Sequence, residues 1–230
     1  AYTGTGAANL SNPGYVKGYS KVQAAFDTSK ITHAVGASAG TYAISIQGTA
    51  TSCSVTTIVS SNILTAAGQL TVTYTVTDSR GRSTTDTATI TVNDYVNPAI
   101  ASLNCYRCDI DGTEDEDENY MAVTANCTFT TLSDNAITIR VEVKPINGTY
   151  TSYGTILNAI KSVIGGTFLP DTSYFVKVIV TDTVGNNAFT EMSMPRRSWI
   201  FHMRQSLGGP GAAFGKVTEN DYTLQLANGW

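Results

Sequence analysis

The densest chemistry in the chain is Asp109-Ile110-Asp111-Gly112-Thr113-Glu114-Asp115-Glu116-Asp117-Glu118, seven carboxylates in ten residues with no base among them. Oxygen ligands at this density suit a hard cation such as calcium. Asp109, Asp111, Glu114 and Asp115 are the candidate metal ligands. The spacing departs from an EF-hand loop, D-x-[DN]-x-[DN]-G, because Gly112 directly follows the second aspartate. Calcium is therefore the one cofactor the sequence admits, set against a solvated, self-repelling loop. Paired-carboxylate catalysis needs two groups in fixed geometry, one with its pKa raised by burial. A crowded, exposed loop supplies neither.

The remaining reactive side chains are sparse. Cys105 and Cys108 form a CxxC, and Cys127 lies downstream. A structural zinc site would need a fourth ligand at suitable spacing, so the readings are free thiols, one disulfide using Cys127, or a metal. His33 and His202 lie in different segments without a neighbouring metal ligand. There is no G-x-S-x-G elbow and no P-loop or dinucleotide-binding glycine run. No catalytic residue is assigned and the chain reads as non-enzymatic. Twelve tyrosines and two tryptophans are available to stack on sugar rings. Arg80 and Arg82 place positive charge at a turn, where an anionic partner could dock.

The elements that must carry these residues read as strands. Leu70, Val72, Tyr74 and Val76 alternate with Thr71, Thr73, Thr75 and Thr77, the signature of a half-buried antiparallel strand. Asp78-Ser79-Arg80-Gly81-Arg82 is a turn. Ala88, Ile90 and Val92 alternate with threonines in a second strand, so the pair predicts a hairpin. The pattern returns 104 residues later: Thr181-Asp182 repeats Thr77-Asp78, and Val176, Val180 and Gly185 repeat Val72, Val76 and Gly81. A repeat this long implies two related domains. Ile137, Ile139, Val141 and Val143 predict a further strand. Residues 154–164 have apolar spacing compatible with a short helix, although their β-branched residues leave that open.

The expected fold is all-β, with two tandem immunoglobulin-like antiparallel β-sandwiches and a short glycine-rich C-terminal β segment. Residues 1–14 read as a linker or the end of an upstream domain. Domain one spans 15–96, domain two 97–195, and 196–230 form a C-terminal packing or oligomerisation segment. In that segment Ala212, Ala213, Phe214 and Val217 are too apolar for a solvated linker, and are the candidate interface of a homo-oligomer, a trimer among the options.

Composition narrows the partners. The 230 residues carry 14 basic and 18 acidic side chains, a net charge of −4. Nucleic-acid binding needs a basic surplus that is absent here. No apolar stretch approaches the ~20 residues of a membrane span. Without the 109–118 segment the chain holds 14 basic and 11 acidic residues, so all its net negative charge sits in one loop.

An ordered series of motifs resembles a known family. It comprises Gly18-Tyr19-Ser20-Lys21-Val22, Val76-Thr77-Asp78-Ser79-Arg80-Gly81-Arg82, Asp94-Tyr95 with Pro98, Tyr106-Arg107-Cys108 before an acidic Gly-Thr loop, and Gly211-Ala212-Ala213-Phe214-Gly215-Lys216-Val217-Thr218-Glu219. Together these look like the C-terminal half of tail-associated minor structural proteins of long-tailed bacteriophages and prophages, over residues 15–221. The resemblance implies a virion protein of the tail tip, baseplate or fibre. It would assemble with other tail proteins and attach to host cell-wall polysaccharide. The alternatives are a bacterial surface adhesin and a carbohydrate-binding accessory domain of a secreted enzyme.

Overall fold

The computed structural model describes residues 9–197 in full, with the strands Phe201–Ser206, Gly209–Phe214 and Leu224–Leu226. The chain is all-β, and it divides into two units. Of the described residues, the first unit takes 9–99 with Thr128–Ile137 and Thr181–Asn187. The second takes Ile100–Cys127, Thr138–Val180 and the chain from Ala188 onward. No helix of the described residues is long and apolar enough to cross a membrane.

The strands of the first unit are β1 (Tyr15–Val16), β2 (Gln23–Ala24), β3 (Ala39–Ile46), β4 (Thr49–Cys53), β5 (Val59–Ser60), β6 (Gly68–Asp78) and β7 (Ser83–Asn93). They form a five-stranded sheet, β1-β7-β6-β3-β4, and a two-stranded ribbon, β2-β5. The expected hairpin is present: β6 and β7 pair antiparallel in unbroken register from Gly68↔Val92 to Thr77↔Ser83. Ile44, Ile46, Val72 and Val92 lie in one buried cluster with Val22, Ala24, Val59 and Leu64. The threonines at odd positions of β6 and β7 fall on the other face, as period-two geometry requires. The inward pattern fades toward the turn, where Val76 is half-buried and Ala88 exposed. The ribbon β2-β5 is too short to cover that end. Leu10, only 6% exposed, joins Val16, Tyr95 and Val184 in a second cluster. Leu10 thus contributes to the core of this unit.

The second unit holds β8 (Ala99–Cys108), β9 (Tyr120–Thr128), β10 (Ile137–Pro145), β11 (Thr151–Ile156), β12 (Ser162–Gly165), β13 (Tyr174–Asp182) and β14 (Asn187–Met194), some of whose ends fall in the first unit. They form the sheets β12-β9-β8 and β11-β10-β13-β14. Seven strands in two sheets match the immunoglobulin-like expectation. Tyr174, Val176, Val178 and Val180 are all buried along β13, and Ile139, Val141 and Val143 along β10. The short helix compatible with 154–164 does not form. Thr151–Ile156 and Ser162–Gly165 are strands of different sheets, with Ala159 at φ 60° in the turn between them. The β-branched residues win because pairing with β10 and β9 satisfies their backbones.

At the C-terminus, β15 (Phe201–Ser206) pairs antiparallel with β16 (Gly209–Phe214), which pairs parallel with β17 (Leu224–Leu226). Ala212, Ala213 and Phe214 lie on β16, the middle strand, while Val217 lies outside the described residues.

Candidate functional site

The acidic segment forms the loop between β8 and β9. Its carboxylates turn back on their own backbone. Asp109 accepts the amides of Asp111 (3.0 Å) and Thr113 (2.9 Å). Asp111 accepts the Thr113 hydroxyl at 2.6 Å, which with a bond to Asp109 holds its carboxyl below the usual carboxylate range. Asp115 accepts the Asp117 amide, and Glu114 bridges to Cys108 through the backbone. The four candidate ligands thus share one loop. Among the described residues, no three His, Cys, Asp or Glu side chains are grouped to hold a metal ion. Cations of the chain itself serve the loop: Lys161 donates to the Gly112 carbonyl at 3.0 Å, and Arg197 bridges Asp117 and Asp171, each at 2.8 Å.

The four cysteines are free thiols, so neither a disulfide through Cys127 nor a cysteine metal site is formed. Burial pushes Cys105 up to about 11 and raises Cys108 and Cys127 as well, which makes all three poor nucleophiles. Between the CxxC cysteines, Arg107 is 4% exposed. Its guanidinium donates to the carbonyls of Phe168, Leu169 and Thr172 and lies 5.6 Å from the Tyr174 ring. It braces the loop before β13. His33 is exposed and His202 lies on β15. Two surface depressions of the first unit, around Gln47, Leu64, Ser61 and Thr65, carry no titratable side chain.

The hairpin-tip arginines are internally paired. Arg82 reaches Asp78 at 2.8 Å and Arg80 at 3.8 Å. Bonds from Arg82 hold the Asp78 carboxyl down at about 2.

A second concentration of chemistry, mixed aromatic and charged, lies on the outer face of β10, β13 and β14, and motif reading did not find it. Positions alternating with the buried residues of β10 and β13 carry Arg140, Glu142 and Lys144 on β10 and Phe175 and Lys177 on β13, and β14 adds Phe189 and Glu191. Tyr150, just before β11, joins them. The Lys144 ammonium sits 4.8 Å from the Tyr150 ring centroid and 5.2 Å from that of Phe175. Lys177 sits 5.2 Å from both Tyr150 and Phe189. Glu142 pairs with Arg140 at 3.0 Å and Lys177 at 3.4 Å. The Tyr150 hydroxyl donates to Glu191. Phe189 is nevertheless 67% exposed. Such interleaving offers flat apolar faces flanked by hydrogen-bonding charges. Its only sequence signal is the polar half of two strands that are otherwise read for their apolar half.

No family model matches the chain, and no curated protein does. Among solved structures, the chain is similar to one from a study of host cell-surface retention of a 1.5-MDa bacterial ice-binding adhesin, with TM-score 0.42 and 15% identity over 86% of this chain and 63% of that one. It is similar to a Ca²⁺-stabilised adhesin by which an Antarctic bacterium binds ice, with TM-score 0.39 and 16% identity over 83% and 52%. A β-sandwich carbohydrate-binding module gives TM-score 0.27 and 13% identity over 84% and 94%. The chain spans less than two thirds of either adhesin chain. Likeness at these identities and TM-scores carries nothing about what this chain binds.

Proposed function

We propose that this chain is a non-enzymatic adhesion module that binds cell-surface polysaccharide through the outer face of β10, β13 and β14. The observation that carries the reading is the interleaved set Lys144, Tyr150, Phe175, Lys177 and Phe189 on one face. Aromatic rings stack on the C–H faces of sugars, and flanking ammonium and carboxylate groups hydrogen-bond hydroxyls. Cross-strand pairing alone would stabilise the sheet, but it does not account for a Phe189 left 67% exposed. The test is retention of the full chain on insoluble bacterial cell-wall polysaccharide, compared with Phe189→Ala and Lys144→Ala. Retention of the parent and its loss in both variants, at unchanged melting temperature, supports the reading. A parent that is not retained, or variants retained like the parent, refutes it.

A second reading rests on the ordered motif series from Gly18 to Glu219, which resembles tail-associated structural proteins of phages. In that setting the chain is a virion component of the tail tip or fibre, with other tail proteins as partners, and the same face serves host attachment. Tail genes beside the parent gene support the virion setting. A secretion signal and a cell-wall sorting signal in the parent chain support the bacterial adhesin.

A further inference from the structure

The outer face of β10, β13 and β14 holds more cations than its own carboxylates serve. Arg140, Lys144 and Lys177 are set against Glu142 and Glu191. Both oxygens of Glu142 are taken, one by Arg140 at 3.0 Å and the other by Lys177 at 3.4 Å. Glu191 accepts the Tyr150 hydroxyl. Lys144 pairs with no carboxylate among the described residues. Its ammonium meets rings instead, Tyr150 at 4.8 Å and Phe175 at 5.2 Å. Lys177 approaches the same Tyr150 ring at 5.2 Å. The two ammoniums are therefore at most about 10 Å apart, close to the Debye length at about 0.1 M salt, so their repulsion is only partly screened.

We infer that the polysaccharide bound here is acidic, and that Lys144 selects a carboxylate carried on the sugar ring. The inference rests on the polysaccharide reading of the same face and adds the charge of the ligand to it. A sugar laid over this face strips water from the Lys144 ammonium. A neutral hydroxyl returns a hydrogen bond but no counter-charge, and an ion desolvated without a partner is costly. A ligand carboxylate supplies the anion that the chain itself does not. Amino sugars are rejected by the same surplus, since like charge brought to an interface works against the wrong partner. The ring contacts place the anion on the unit that stacks. Lys144 lies 5.2 Å from the Phe175 centroid and Lys177 lies 5.2 Å from that of Phe189. A uronate meets this requirement because its carboxylate is bonded directly to the pyranose ring. A phosphodiester lies between sugar units, away from the stacked ring.

Biolayer interferometry of the full chain on three end-tethered polymers tests the inference: polygalacturonate, its methyl ester, and poly(glycerol phosphate). Polygalacturonate is expected to bind at least about tenfold more tightly than the ester, equivalent to about 1.4 kcal/mol, with the preference shrinking as salt is raised. Lys144→Gln keeps a donor but removes the charge. It should cost about tenfold on polygalacturonate and leave the ester unchanged, while Lys144→Arg restores the preference. A purely structural role for Lys144 would weaken both polymers alike, and that result overturns its assignment as the selecting residue. Melting identifies which variants fold, and the parent's preference between acid and ester stands as a test without any variant. Equal binding of acid and ester overturns the inference and leaves the polysaccharide reading intact. A preference for poly(glycerol phosphate) overturns the choice of a ring carboxylate. Binding to none of the three also overturns the inference, and retention on insoluble cell-wall polysaccharide then shows whether the polysaccharide reading falls with it.

Discussion

Asp182 is a buried carboxylate, 5% exposed, that is satisfied by neutral donors. Its Oδ1 accepts the amides of Gly185 (3.0 Å) and Asn186 (2.9 Å). Its Oδ2 accepts the Tyr95 hydroxyl and, at 3.4 Å, the Asn135 side-chain amide. Asn186 in turn donates to the hydroxyls of Tyr95 and Tyr19, each at 2.7 Å. A buried charge is tolerable only when its acceptor sites are filled. Tyr95→Phe keeps the ring packed against Tyr19, where the centroids are 5.2 Å apart, and removes one filling donor. The expected cost is about 1.5–3 kcal/mol, the range for a hydrogen bond to a charged group, read from urea unfolding. An unchanged midpoint would show that solvent replaces the hydroxyl and that the site is wetter than its burial indicates. Asp182 was legible in the sequence as half of a repeated Thr-Asp turn, and Tyr95 as part of the junction motif. Their meeting was not, because the two lie 87 residues apart.

The two turns show one device at the scale of the element, with two chemistries. In the first, Asp78 accepts the amides of Arg80 (2.9 Å) and Arg82 (3.0 Å), and the Gly81 amide donates to the Asp78 carbonyl. In the second, 104 residues on, the Asn186 amide on the Asp182 carboxylate repeats that of Arg82 and the Gly185 amide on the Asp182 carbonyl repeats that of Gly81, while the second amide on the carboxylate comes from Gly185 instead of the position matching Arg80. Gly81 and Gly185 have φ of +79° and +103°, where a side chain is strained, although neither Cβ position meets a neighbour. Gly81→Ala and Gly185→Ala should therefore each cost about 1–2 kcal/mol by backbone strain alone, measurable by thermal melting of single variants. A much larger loss for Gly185→Ala would mean that the buried Asp182 site is rearranged with it. Alternation made these hairpins, and the strand holding Ile139, Val141 and Val143, readable from sequence. Residues 154–164 were not readable, since a short run of Ile and Leu around a turn satisfies helical spacing and two short strands equally. The lysine–aromatic face was hidden for a related reason. It is assembled from residues of three strands and a turn, and no local window contains it.

For the whole molecule, composition located the net negative charge in one loop, and the structure pairs that loop with Lys161 and Arg197 of the same chain. The shifted groups then set a stability profile against pH. Asp78 is held at about 2 against an ordinary 3.8 by bonds from Arg82. Asp27, Asp94, Asp111 and Asp134 are also lowered, chiefly by hydrogen bonds or, for Asp94, by Lys17. A carboxyl lowered on folding contributes stability above its unfolded pKa and loses it as pH falls through the folded one. The acid limb therefore declines from near pH 3.8 toward 2. Cys105 is raised from 9.0 to about 11 by burial, and Tyr95 is raised above 10.0 by burial and by Asp182. A group raised on folding contributes stability below its unfolded pKa and loses it as pH rises toward the folded one. The alkaline limb therefore declines from about pH 9. The urea midpoint should be flat between roughly pH 4 and 9 and fall on both sides. Asp78→Asn should flatten part of the acid limb and leave the alkaline limb alone, while Cys105→Ala should do the reverse. The acid limb rests on a half-buried Asp78 and on four exposed aspartates, and its exposed part is expected to shrink in high salt. The alkaline limb rests on buried groups, which salt does not reach. A midpoint that fell equally on both sides at high salt would contradict this division between surface carboxylates and core thiol and phenol.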